Sequence, residues 1–130
     1  MPATQEDVIR LRAAYDAMRS GDVIPLAELM EVNIRWIGSE SLGDPPPECN
    51  GRAEASAVLK RAVDRMPARD MESLAIAGDR ILSVAHWHEG QGPPGVDHVY
   101  NLLTMRDGLI VKMEDFFDRA AAEWAFSAPT

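Results

Sequence analysis

Cysteine is nearly missing from this chain: Cys49 stands alone among 130 residues. One thiol excludes an internal disulfide and any zinc site built from several cysteines, and it fits a reducing compartment. Bases are scarce as well. Thirteen Lys and Arg against 21 Asp and Glu give a formal net charge of −8, with no basic cluster. Nucleic acid is therefore not expected as a partner, because phosphate binding needs a concentrated Lys/Arg surface. No window approaches the ~20 apolar residues of a membrane span, so no membrane association is expected. The N-terminus, Met-Pro-Ala-Thr-Gln-Glu-Asp, lacks a basic segment followed by an apolar run, so no signal peptide is visible and a cytoplasmic location is expected. What the chain does have is core material. With 46% hydrophobic residues it reads as one soluble domain over residues 1–130.

Hydrophobic spacing sets the element order. Thr4 and Asp7 form a capping pair ahead of Val8, Leu11, Tyr15 and Met18, a first helix ending near Ser20-Gly21. Asp22 opens a second, short helix carrying Leu26 and Leu29. Val32 to Gly38 alternates as a strand, with Ile34 and Trp36 on one side. Residues 39–51, which include Pro45-Pro46-Pro47, read as a loop. Arg52 to Met66 is a third helix, stopped by Pro67. Four strand-like stretches follow, near 71–77, 81–89, 97–106 and 109–117, and then a short helix over 118–126. Helices first and strands bunched later predict an α+β fold with a mostly antiparallel sheet, the helices covering one face around a cavity.

The last strand, Leu109 to Phe117, carries an acid in an apolar row: Leu109, Val111, Met113, Asp115 and Phe117. Its register depends on the hairpin. A two-residue Asp107-Gly108 turn puts Tyr100 opposite Asp115, whereas a three-residue Arg106-Asp107-Gly108 loop pairs Met105 with Leu109 and Asn101 with Met113. Matching apolar faces favours the three-residue loop. The inner row then reads Val99, Asn101, Leu103 and Met105 beside Leu109, Val111, Met113, Asp115 and Phe117. Leu82, Val84, His86 and His88 are assigned to the same side. The other face would hold Trp87, Tyr100, Leu102, Ile110 and Phe116, too much apolar area for solvent, so a homodimer through that face is expected.

These residues resemble the NTF2-like superfamily, particularly its SnoaL-like and ketosteroid-isomerase-like bacterial members. The resemblance is carried by the stretch from Tyr15 to Val23, by Ile34-Arg35-Trp36-Ile37-Gly38, by Asn50-Gly51-Arg52, and above all by the run from Arg106 to Arg119. It implies a cone-shaped α+β barrel with a curved, mostly antiparallel sheet, N-terminal helices over a deep pocket, and frequent dimers. The isomerase pattern does not carry over. Trp36 stands where the proton-shuttling acid would be, Asn101 falls near the oxyanion-donating acid, and the helix-borne tyrosine falls near Ala14, one place from Tyr15. The cyclase pattern fits better, its catalytic aspartate falling on Asp115. The Arg-Asp pairing of limonene-type epoxide hydrolases has no clear counterpart.

The expected chemistry is acid/base work on a small, mostly apolar molecule, without a cofactor: isomerisation, cyclisation, dehydration or hydrolysis. An apolar pocket pushes a carboxyl towards the working pH, which suits Asp115 as proton carrier. His86 would relay or polarise, and Asn101 would donate to an oxyanion. Tyr15, Trp36, Val84, His88, Val99, Leu103, Met113 and Phe117 would line the ligand. His86-x-His88 is half of a metal pattern without a natural third ligand, so no metal is assigned. The competing class is a non-catalytic binding or dimerisation domain in which Asp115 only closes a hydrogen-bond network.

Overall fold

The computed structural model describes residues 2–39, 43, 45–65, 69–87 and 95–128. In chain order the elements are α1 (Gln5–Arg19), α2 (Ile24–Glu28), β1 (Met30–Ile37), β2 (Glu48–Asn50), α3 (Arg52–Arg65), β3 (Arg69–Ala77), β4 (Arg80–Trp87), β5 (His98–Arg106), β6 (Leu109–Phe116) and α4 (Arg119–Ser127). The strands form one curved, unclosed sheet in the order β2-β1-β6-β5-β4-β3. Every pairing is antiparallel except β1 with β6. The α+β class expected from the element order is the one observed. The stretch expected as an uninterrupted loop contains β2, because Pro47 precedes rather than interrupts the three residues that pair with β1.

Helix α1 starts as its sequence dictates. The Thr4 hydroxyl accepts from the Asp7 backbone N–H, and the Asp7 carboxylate accepts from the Thr4 N–H, a reciprocal capping box. Its spaced apolar residues, Leu11, Ala14, Tyr15 and Met18, face the sheet. They join Leu26 of α2 and Ala55 and Leu59 of α3 over Met30, Ile34, Ile81, Leu103, Met105, Ile110 and Met113. This inner core lies on one face of the sheet, and the helices that cover it come from the first half of the chain.

The hairpin differs from the expected three-residue loop. Asp107 and Gly108 form a two-residue turn, both with positive φ (53° and 80°), and Arg106 pairs with Leu109. Such a turn suits the right-handed twist of the strands, and Gly supplies one of its two positive-φ positions without steric cost. A β-bulge then absorbs Val111: Met105 pairs with Ile110 and Thr104 with Lys112. The bulge restores Leu103 opposite Met113 and sets Asn101 opposite Asp115. Thus Asp115 and Asn101 share the inner face, by a route other than the one expected. Ile110, assigned above to the outer face, is fully buried in the inner core.

Strand β4 is turned over relative to expectation. Ser83 pairs with Asn101 and Ala85 with Val99, whereas Leu82, Val84 and His86 pair with Leu102, Tyr100 and His98. Leu82, Val84 and His86 therefore lie on the outer face. Trp87 belongs to the inner side, packed with Ala85 and Val99 and with Phe117. The outer face has its own cover: Ala122, Ala125 and Phe126 of α4 pack on Leu82, Val84, Tyr100, Leu102 and Phe116. The apolar area that argued for a second protomer is buried by the same chain, with Tyr100 only 5% exposed. Trp124 of α4 points outward and is 76% exposed.

Arg80 fastens α4 from below. Its guanidinium donates to the carbonyls of Ala125 (2.9 Å), Phe126 (3.4 Å) and Ala128 (2.6 Å), acceptors at the helix end that have no partner within the helix. Among the described residues, no helix is long and apolar enough to cross a membrane.

Candidate functional site

Three strands bring three side chains together on the inner face. Asp115 lies near the end of β6, directly opposite Asn101 on β5. Trp36 lies on β1, whose parallel pairing sets it beside Met113, two residues before Asp115. The indole Nε1–H donates to Asp115 Oδ2 at 2.8 Å, and the Asn101 amide Nδ2 donates to Oδ1 at 2.6 Å. All three residues are only partly buried. Each carboxylate oxygen thus holds an N–H, at a length typical of charge-assisted bonds.

Around this polar group the face is apolar. On one side run Met113, Leu103 and Ile81, and on the other Val99, Ala85 and Phe117, with Trp87 beyond. Tyr15, from α1, is 6% exposed in the same inner core. Of the expected ligand-lining residues, the inner face holds Tyr15, Trp36, Val99, Leu103, Met113 and Phe117. Val84 faces α4 instead. His88 lies outside the described residues. Trp36, expected as a wall, is bonded to the acid itself.

Sequence reasoning missed Ser83. It is fully buried, directly opposite Asn101, and its hydroxyl donates to Met71 Sδ at 3.4 Å. The signal was available only through the face of β4, since Ser83 alternates with Ile81 and Ala85.

His86 is not brought to Asp115. On the outer face its Nδ1 lies 3.0 Å from Glu72 Oε1 and its Nε2 3.7 Å from Asp70 Oδ2. His98 Nε2 approaches the same Glu72 oxygen at 2.9 Å. A hydrogen bond from His98, together with the charges of both histidines, holds the Glu72 carboxyl below its ordinary range against a smaller opposing effect of burial. His86 and Glu72 side chains are 41% and 42% exposed, so this is a solvated ion-pair cluster. The physical reason for the misplacement is the parity of β4 described above.

Cys49 pairs with Trp36 across β1 and β2. Burial, followed by the nearby Glu54 carboxylate, pushes its thiol above the ordinary range, and Asp115 adds to this. A thiol so placed is a poor nucleophile. Among the described residues, no group of three or more His, Cys, Asp or Glu could hold a metal ion.

The fold defines an NTF2-like α+β cone, and solved structures share it. A candidate SnoaL-like polyketide cyclase from Jannaschia sp. CCS1 superposes with a TM-score of 0.70 at 21% identity, covering 100% of this chain and 97% of that one. An NTF2-like protein of unknown function from Mesorhizobium loti gives 0.71 at 20% identity, covering 91% and 97%. A candidate ketosteroid isomerase from Kribbella flavida gives 0.66 at 18% identity, covering 100% and 87%. At such identities the likeness is one of fold. No curated protein matches the chain in sequence. The SnoaL-like domain family matches residues 11–113, and the chain belongs to that family. Asp115 falls just beyond the matched stretch.

Proposed function

We propose that this protein binds a small, mostly apolar molecule against the inner sheet face and performs cofactor-independent acid/base chemistry on it, of isomerase, cyclase, dehydratase or hydrolase type. Asp115 carries the proton. Asn101 and Trp36 orient its carboxylate, and Tyr15, Val99, Leu103, Met113 and Phe117 supply the apolar surroundings. The observation that carries this reading is one carboxylate on an apolar face, held at both oxygens by side chains from two other strands. A positioned carboxylate of this kind can take a proton from carbon or oxygen and return it, which contributes about 10²–10⁴-fold to rate.

A second reading has its own support. Both Asp115 oxygens are satisfied by the chain's own donors, as expected of an acid that closes a structural network in a non-catalytic binding domain. One assay separates the two. Phenylacetone in D2O exchanges the hydrogens beside its carbonyl slowly, and NMR follows the exchange. Acceleration by the wild type, lost by about 10²-fold or more in Asp115→Asn, is the result expected of the enzyme. Phenylacetone that binds without acceleration belongs to the second reading.

A further inference from the structure

The two ends of the sheet are finished differently. At one end β2 is only three residues long and carries Glu48, whose carboxylate accepts two N–H bonds from the Arg35 guanidinium. A short, charged edge of that kind resists pairing with another strand. At the other end lies β3, nine residues from Arg69 to Ala77, and among the described residues only β4 pairs with it. A bulge between Met71 and Ser73 and the acids Asp70 and Glu72 guard its beginning. The remainder, Ser73-Leu74-Ala75-Ile76-Ala77, has no charge, no proline and a regular ladder with β4.

The turn decides which backbone groups point away from β4. Gly78 has positive φ (60°) and Asp79 does not, the pattern of a type II′ turn, and Ala77 pairs with Arg80 across it. Residues flanking such a turn exchange both backbone bonds, and the direction alternates along the strand. Ala77, Ala75 and Ser73 therefore bond towards β4, while Ile76 and Leu74 turn their N–H and C=O groups to the sheet edge. These two side chains pack against the inner core but stay only partly buried, so the core is open at this rim. Ser73, Ala75 and Ala77 are exposed on the outer face, where α4 packs on β4, β5 and β6 instead.

We propose that β3 is a dimerisation edge whose occupant is β3 of a second copy, aligned antiparallel about a two-fold axis at Ala75. In that register the segment is its own complement. Leu74 of one copy faces Ile76 of the other, so that each donates to and accepts from its counterpart, and Ser73 faces Ala77. On the inner face, Leu74 and Ile76 of both copies meet and close the two open rims. Charge favours a second copy here: the chain carries −8, yet residues 73–77 carry none of it, so no like charges come to stand opposite. The two-fold pairing uses up both edges, and assembly stops at the dimer. Asp115 takes no part, so the proposal stands apart from the acid/base chemistry.

Single cysteines read the register. In a Cys49→Ser background, Ala75→Cys, Ser73→Cys and Ala77→Cys are each held in a glutathione redox buffer, and non-reducing gels follow the covalent dimer. At the axis the two Cα atoms of residue 75 form a non-hydrogen-bonded pair about 4.5 Å apart, within disulfide range. Residue 73 or 77 lies roughly 13 Å from its own counterpart at about 3.3 Å per residue, out of range. Ala75→Cys is expected to cross-link at least about tenfold faster than the other two. Equal rates overturn the proposal. Sedimentation equilibrium up to about 0.5 mM, suited to a small interface, gives a second readout. The wild type should dimerise, and Ala75→Lys, setting two ammonium groups face to face at an exposed position, should weaken the dimer at least about tenfold. A ¹H–¹⁵N spectrum checks that this variant is folded; if it is not, the cysteine rates alone decide. A wild type that stays monomeric overturns the proposal. A dimer that survives in folded Ala75→Lys overturns it too, and its loss in Trp124→Lys would move the interface to the exposed side of α4.

Discussion

Replacing Trp36 by Phe removes the indole donor, and replacing Asp115 by Ala removes its acceptor. Trp36→Phe takes one N–H from the Asp115 carboxylate and Asp115→Ala takes the acceptor from both Trp36 and Asn101, whereas the double variant keeps only the Asn101 loss, which Asp115→Ala shares and the cycle cancels. The bond is short, 2.8 Å, and one side is charged. Hydrogen bonds to charged groups contribute about 1.5–3 kcal/mol, and partial exposure places this one at the lower end. The double variant should therefore cost about 1.5 kcal/mol less than the sum of the two singles. Urea unfolding of the four proteins, compared at equal slopes, measures this coupling. Asp115→Asn serves as a control. Its carbonyl can still accept from Trp36, and Asn101 can turn its amide so that its own carbonyl accepts from the new NH2, so the loss should stay below about 1 kcal/mol. Additivity of Trp36→Phe and Asp115→Ala within about 0.3 kcal/mol would refute the reasoning, because groups that do not interact add.

Three further outcomes are expected. Arg80→Ala removes donors to the carbonyls of Ala125, Phe126 and Ala128, and should lower stability by about 1–2 kcal/mol while hastening amide exchange in α4. Glu72, whose folded carboxyl is held low by His98, contributes stability above the unfolded carboxyl range and loses it as pH falls through the folded value. Glu72→Gln should therefore show a shallower loss of stability than the wild type below about pH 4, followed by thermal unfolding across pH. Cys49, with its thiol pushed up by burial and by Glu54, should react with a thiol-exchange reagent more slowly than glutathione at about pH 8. A rate equal to glutathione's would contradict that placement.

What was legible in the sequence follows from periodicity. The capping box at Thr4 and Asp7, the spacing of Leu11, Tyr15 and Met18, and the order of helices before strands each carry a local physical signal. The face of β4 does not. Ile81, Leu82, Val84, Ala85 and Trp87 are apolar on both parities because α4 covers the outer face as the earlier helices cover the inner one. With both sides buried, alternation vanishes and parity cannot be read. That single ambiguity carried His86, Val84 and Leu82 to the inner face and Trp87 to the outer. It also produced the expectation of a partner, because a nine-residue C-terminal helix offers little sign that it folds back over the sheet.

The hairpin teaches the complementary lesson. Asp107-Gly108 is the stronger turn signal, yet a regular ladder from it would set Tyr100 beside Asp115. The bulge at Val111 reconciles the turn with the core, allowing Ile110 and Met113, three residues apart, both to point inward. No residue type announces such a bulge. Asp115 itself was legible because a lone acid in an apolar row calls for a partner. The sequence puts one partner, Asn101, on the same inner face, although the expected register set it opposite Met113 rather than Asp115. It does not place Trp36, since nothing in sequence brings the indole to within 2.8 Å of a side chain 79 positions away.

The most direct test is a crystal structure of the protein soaked with phenylbutanol. The account requires the hydroxyl within hydrogen-bond distance of an Asp115 oxygen, on the same face as Trp36 and Asn101, with the phenyl group against Met113, Leu103, Val99 or Phe117. An Asp115 carboxylate turned to the outer face, or phenylbutanol seated only beneath α4, would contradict it.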